Sequence, residues 1–318
     1  RGKNMKMRKI VCSFMISVVC FMTAISGVSA TSYDTSKINA AYSKVVEYYK
    51  NNNNLNNADK ILAVESLGLE AESNQFDTSS ADLSSTSLSK KIVTEVLLGV
   101  DPTEDKKTLE SQIDENGNVE GSWGASSDVW TLYALYVTSS EKTNLIANKL
   151  NDELAASSVC GYEWGGTYYA DYDTTGWVIE GLAVVNKEKY ATTINKAIDY
   201  IKNNTTMTTT GWVTADNVDT QSQVLEGMFA YDTNALLNDS YTVHPVDCLL
   251  NTQLSDGSFP SGYNAEYTTA EVAKTLGTYK NGSVIIKAKK AYDKMMNPEQ
   301  PDNTKPAQPT DTKKDSQS

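Results

Sequence analysis

The chain has 318 residues, with 40 acidic against 28 basic side chains, a formal net charge of −12 at pH 7 and a single histidine. Its only two arginines are Arg1 and Arg8, so nothing beyond residue 8 supplies the guanidinium clamps that nucleic-acid phosphates and diphosphates attract, and nucleic-acid binding is excluded.

The first segment reads as a leader. Met5 to Lys9 is basic, residues 10–25 are an apolar run, and Val28-Ser29-Ala30 has the small-x-small form of a cleavage site, which predicts a secretory signal peptide ending at Ala30. The run is short for a transmembrane anchor and is followed by polar sequence, while Val19 stands where a small residue should precede a lipidated Cys20. The mature protein is therefore expected to be secreted or at the cell surface, with no transmembrane helix. Five basic and no acidic residues lie in the leader, leaving 23 against 40, or −17. Cys160 and Cys248 fall two repeats apart in the pattern below and are expected as thiols.

In chain order, apolar spacing of one helical face predicts helices over 36–51, over 58–67 with Gly68 as its C-cap, over 89–99 stopped by Asp101-Pro102, and over 104–113. A Ser-, Asp- and Thr-rich loop separates the second from the third. Paired helices then come at 126–137 and 142–155, 173–185 and 187–203, 219–231 and 246–253, and 268–279 and 283–296. No segment carries a period-2 strand pattern, so the class is all-α, with twelve helices in six pairs over residues 31–296. Residues 297–318 hold four of the seven prolines and no large apolar side chain, and read as a disordered tail leading to a cell-wall attachment or a second domain.

The later helices repeat. Asp173 aligns with Ser126, Asp219 and Tyr267, at steps of 47, 46 and 48 residues, and DYDTTGWVIEGLAVV, SSDVWTLYAL, DTQSQVLEGMFAY and YTTAEVAKTLGTY fall into common columns. Asp173 and Thr174 are N-cap types. A period in this range, with one buried-looking helix per unit, indicates units that stack because none can bury its apolar face alone. The segments leading into these helices carry glycine and an aromatic, namely Trp123, Trp164, Trp212 and Phe259.

The sharpest lead-in is CLLNTQLSDGSF, residues 248–259, with Gln253 and then Asp256-Gly257-Ser258-Phe259. Here the chain resembles the prenyltransferase and squalene-oxidase repeat family, and 109–124 is similar to a looser copy. The resemblance implies an α/α toroid, with six parallel inner helices around a central cavity and six antiparallel outer helices. In such a fold the glutamine bonds loop backbone, the aromatics close the gaps between helix ends, and the inner N-termini gather at one mouth, where Asp171, Asp173 and Asp219 offset their dipoles.

Three functions are open within that family and fold. Zinc-dependent prenyltransferases use Asp, Cys and His, but the only histidine, His244, lies in a loop-like YTVHP segment, so no metal site is expected. Cyclases use a D-x-D-D acid; Asp171-Tyr172-Asp173-Thr174 keeps two carboxylates, which makes Asp173, supported by Asp171, the candidate acid, with helix capping as its alternative role. Glycosidase barrels use paired carboxylates, and Glu180 and Glu226 share a column, with Trp130 and Trp177 one turn earlier; a polar wall lining a wet cavity is the blander alternative. Secreted cobalamin carriers share the toroid and carry no catalytic residue. The expectation is a secreted, non-catalytic module for a bulky amphipathic or apolar ligand, with cobalamin as candidate and with Trp130, Tyr168, Tyr169, Trp177, Glu180, Gln223 and Glu226 as binding residues.

Overall fold

Helical periodicity becomes helix almost everywhere in the computed structural model, which describes residues 33–72, 76, 82, 84–205 and 217–298. The described residues fall within the compact unit Ser32–Ser318. The leader, Trp212 and all but the first two residues of the tail lie outside them. Among the described residues there are eleven helices, in order α1 (Ser36–Asn51), α2 (Ala58–Ser66), α3 (Ser85–Leu97), α4 (Thr103–Ser111), α5 (Ala125–Val137), α6 (Thr143–Ser157), α7 (Tyr172–Asn204), α8 (Val218–Asn238), α9 (Pro245–Leu250), α10 (Ala265–Asn281) and α11 (Val284–Met296). Gly68 comes after α2 with φ of 72°, the left-handed conformation expected of its C-cap role. Among the described residues no helix is long and apolar enough to cross a membrane.

Two helices turn a corner without a loop. α7 breaks at Asn186 (φ −164°, ψ 89°) and α8 at Asp232 (φ −156°, ψ 92°), both extended backbone. Each of these side chains caps the helical segment on its C-terminal side: Asn186 Oδ1 accepts from Lys189 N–H and Asp232 Oδ1 from Ala235 N–H, both at 3.0 Å. The boundary expected between 185 and 187 is therefore real, and the helix expected over 246–253 is α9; the segment from Asp232 to Asn238, which the Asp232 cap starts, is an addition to the expected pattern.

The one departure from all-α among the described residues lies between α6 and α7. There β1 (Gly161–Trp164) and β2 (Thr167–Ala170) pair antiparallel, Tyr162 opposite Tyr169 and Trp164 opposite Thr167. Gly165 and Gly166 form the two-residue connection with φ of 60° and 78°, a pair that only glycine-like residues adopt cheaply. Each strand has four residues, too few for period 2 to stand out, so the Gly-Gly turn was the legible signal.

Packing runs from helix to helix. α3 packs on α2 and α5, α5 on α7, α7 on α8, α8 on α10, and α10 back on α2. Between α5 and α7, α8 and α10, and α2 and α10, side chains join early positions of one helix to early positions of the next. Trp130 meets Trp177, Gln223 bonds Glu271, and Lys60 near the start of α2 pairs with Glu266 near the start of α10. Ile61, Ile92, Leu132, Ile179, Leu225 and Val272, one from each, are fully buried and contribute about 1.5–3 kcal/mol apiece. Glycines set the closest approach: a Cβ on Gly227 would stand 2.3 Å from the Gly176 carbonyl oxygen, and one on Gly277 would stand 2.6 Å from Ser66 backbone.

The glutamine of the lead-in motif acts as expected. Gln253 Nε2 donates to the Ala41 carbonyl at 3.0 Å and to that of Gly257 at 3.1 Å, tying the loop to α1. A second tie is not visible as a motif: Ser127, Thr175 and Thr269, each one turn into its helix, accept from the backbone N–H of Trp123, Cys160 and Phe259 at 3.1, 2.9 and 3.0 Å.

Candidate functional site

The repeated helices place three glutamates in one buried cluster. Glu180 on α7, Glu226 on α8 and Glu271 on α10 are at most 3 % exposed, and Lys274, one turn after Glu271, lies among them. Its ammonium stands 3.0 Å from Glu271 Oε2 and 3.9 Å from Glu226 Oε2. Gln223 Nε2 donates to the other side of the cluster, to Glu271 Oε2 at 3.1 Å and the Tyr267 hydroxyl at 3.2 Å. Glu180 is fully served: the Tyr133 hydroxyl donates to Oε2 at 2.9 Å, and the Ser283 hydroxyl, at the start of α11, donates to Oε1 at 2.6 Å. Glu226 receives a longer bond from Thr278, 3.4 Å, while Glu226 Oε2 and Glu271 Oε1 take no protein hydrogen bond.

Burial dominates the electrostatics. It pushes Glu180 and Glu226 above the ordinary carboxylate range, for Glu226 well above, while Lys274 pulls both back down. Lys274 itself is held above its usual value, because Glu271 and Glu226 outweigh the desolvation of its ammonium. Aromatic faces complete the shell: the Trp130 ring meets Tyr133 edge-on at 5.3 Å and Trp177 at 5.9 Å, with Lys90 Nζ 4.5 Å and Lys274 Nζ 5.5 Å from its centroid.

Five of the expected ligand-binding residues, Trp130, Trp177, Glu180, Gln223 and Glu226, thus come together, all of them buried except the half-buried Trp177. Four cavities of about 140–290 Å³ lie elsewhere on the described surface and are lined by other residues.

The two aspartates sit at the N-terminal rim, with roles divided differently from the expectation. Asp171, not Asp173, caps α7: its Oδ1 accepts from Thr174 N–H at 3.0 Å and its Oδ2 from the Thr174 hydroxyl at 2.6 Å. Asp173 is the second helical residue and reaches sideways to Thr220 on α8. Burial, with Asp171, Asp219 and Glu271 nearby, raises it to about 6 against the Thr220 bond. Asp219 repeats the arrangement one helix on, with Thr268 as its partner, and is also raised by burial.

The lead-in aromatics divide. Phe259 is fully buried, but Trp123 is 91 % and Trp164 75 % exposed, so these two tryptophans do not play the packing role expected of them. Tyr168 and Tyr169 lie on the hairpin, away from the glutamate cluster. The Tyr168 hydroxyl donates to the Val159 carbonyl at 2.9 Å and anchors one face; Tyr162 and Tyr169 stand together on the other, centroids 5.6 Å apart and planes at 20°. His244 is not a solvated loop residue. It caps α9, its Nδ1 accepting from Val246 N–H at 3.2 Å, and lies 4.2 Å from the Tyr33 ring, with its pKa lowered by burial.

Sequence reasoning missed Lys274, Tyr133 and Ser283 in the cluster, and Trp123 and Trp164 as surface groups. The signal for Lys274 was present: it is the one other charged residue within a turn of Glu271. Among the described residues no group of three or more His, Cys, Asp or Glu side chains is placed to hold a metal ion. No disulfide joins Cys160, buried before β1, to Cys248 on α9.

No family model matches the chain, and no curated protein or solved structure matches it.

Proposed function

We propose that this chain is a secreted or cell-surface binding module in which α2, α3, α5, the first halves of α7 and α8, and α10 form the inner wall of an α/α toroid. It holds a bulky amphipathic ligand at the mouth where their N-termini gather. The observation that carries the reading is the exposure of Trp123, Trp164, Tyr162, Tyr169 and Tyr263 on the segments leading into α5, α7 and α10. Contiguous exposed apolar groups mark interaction surfaces, and Tyr162, Trp164 and Tyr169 share one face of the hairpin. The motif resemblance supports the same architecture, and the succession of helix contacts, ending with α10 on α2, is what such a wall requires.

The burial of the glutamates argues for a mouth rather than a central site. Glu180 and Glu226, the pair a glycosidase would need, are closed off from solvent, and both oxygens of Glu180 are engaged by protein. Cobalamin is the candidate ligand. Equilibrium dialysis of cyanocobalamin against the mature chain tests it: saturable binding weakened by Trp123→Ala and Trp164→Ala is expected. Binding insensitive to both variants would remove the mouth from the reading.

A second reading keeps Asp173 as an acid, since burial holds its proton to about pH 6. It requires turnover of a polyprenyl substrate that Asp173→Asn abolishes while the fold persists.

A further inference from the structure

The lead-in segments combine exposed rings with mainly acidic sequence. Between Lys107 and Lys142, between Lys149 and Lys187, and between Lys202 and Lys274, the sequence holds 21 carboxylates and no lysine or arginine; Asp128, Glu180, Glu226 and Glu271 among them are buried, and Lys149 and Lys60 pair with Asp128 and Glu266. The lead-ins to α5, α7, α8 and α10 all fall inside these stretches. Helix N-termini alone would favour an anion here, each carrying about half a positive charge. Carboxylates at Asp171, Asp173 and Asp219 stand against them at the starts of α7 and α8, and Glu266 does so at α10, where Lys60 pairs with it at 2.8 Å.

The hairpin supplies the surface. Tyr162, Trp164 and Tyr169 share one face, which stays exposed because Tyr168 holds the opposite face to Val159. Gly161 makes that anchoring possible, since a Cβ there would stand 2.8 Å from the Tyr168 ring. Trp123 projects from the lead-in to α5, the helix that packs beside α7.

A neutral partner gains from the rings alone, and an anion is opposed by the carboxylates. A guanidinium or ammonium group gains from both, through the negative ring faces and the surrounding charge. We infer that the free hairpin face and Trp123 dock a cationic polypeptide segment rich in arginine and lysine. The inference rests on the mouth being the binding end and specifies the charge of what it binds.

The test is fluorescence anisotropy of a labelled arginine decapeptide with the mature chain at about 0.15 M salt, where exposed charges beyond roughly 8 Å are screened. Saturable binding is expected, with no binding of the matching glutamate peptide. The double variant Trp164→Ala/Tyr169→Ala leaves net charge unchanged and should weaken binding about tenfold, the loss of two exposed cation–π contacts. Trp164→Phe should restore part of it, and far-UV circular dichroism should show the fold intact in both. Unchanged affinity in the double variant overturns the inference, because charge alone would then account for binding. So does competition by a neutral chitin hexasaccharide, which would identify a glycan surface. If cyanocobalamin binds in a Trp164-dependent way and the arginine peptide does not, this inference fails and the mouth reading stands; if neither ligand responds to Trp123 or Trp164, both fail.

Discussion

Replacing Lys274 with methionine keeps the length of the side chain and removes the cation that Glu226 and Glu271 share. Coulomb's law at an effective dielectric constant of about 20 gives about 5 kcal/mol for the 3.0 Å pair and about 4 kcal/mol for the 3.9 Å pair, before the desolvation of the ammonium is subtracted. Breaking a buried pair by removing one partner costs about 3–5 kcal/mol net, and that is the expected loss near neutral pH. The pH dependence has a definite sign. Glu180 and Glu226 are raised above the 4.5 of an unfolded glutamate, so their contribution is greatest below that value and is lost as pH rises through their folded values. Without Lys274 both are pushed higher still. The deficit of Lys274→Met should therefore be largest near pH 8 and shrink towards pH 5, as the carboxyls take up protons. Urea unfolding followed by circular dichroism at the two pH values measures it. A cost below about 1 kcal/mol, or one equal at both pH values, would refute the placement of the lysine within a low-dielectric acidic cluster. The double variant Glu271→Gln/Lys274→Met should recover much of the loss, since it removes the pair instead of orphaning a charge.

The geometry sets four further outcomes. Asp171→Ala should cost about 1 kcal/mol in urea unfolding and Asp171→Asn much less, because asparagine still caps α7. Asp173→Asn should instead stabilise the protein by an amount that opens as pH rises from about 4 towards about 6, since it removes a carboxyl whose ionisation burial opposes; a stabilisation independent of pH would contradict this. Gly227→Ala drives a methyl group against the Gly176 carbonyl oxygen, 2.3 Å away on the adjoining helix, and should lose at least about 1–3 kcal/mol by thermal or urea unfolding. Acrylamide should quench Trp123 and Trp164 freely, so that replacing both with phenylalanine removes a readily quenched component of the emission; a quenching profile unchanged by the replacement would place those two indoles in packed surroundings.

Much of the helical scaffold was legible because its signals are local. The 3.6-residue recurrence of Val178, Ile179, Leu182 and Val185 marks a buried face, and asparagine at 186 marks the joint where one helix hands over to the next by capping it. The repeat registered the helices against each other before any contact was known, so Trp130 beside Trp177 and Gln223 on Glu271 lie in the columns that alignment assigned.

Local signals mislead where one pattern serves two fates. Trp123 and Phe259 hold equivalent lead-in positions, each with its backbone N–H tied to a hydroxyl of the following helix, yet one is exposed to solvent and the other fully buried. Asp171 and Asp173 are both cap-type residues two positions apart, and only the rise of the chain out of the hairpin determines that the first caps and the second turns towards Thr220.

What the sequence by itself determined is therefore the helix pattern, the repeat period and the acidic, arginine-free character beyond residue 8, since each comes from neighbours within a turn or from a count. Only the tertiary structure decided that Glu180, Glu226, Glu271 and Lys274 share one buried cluster, and that the hairpin turns its rings outward. Those outcomes depend on contacts between residues such as Lys274 and Glu226, 48 positions apart, and the cost of burying a charge is set by such neighbours and not by the chain on either side of it.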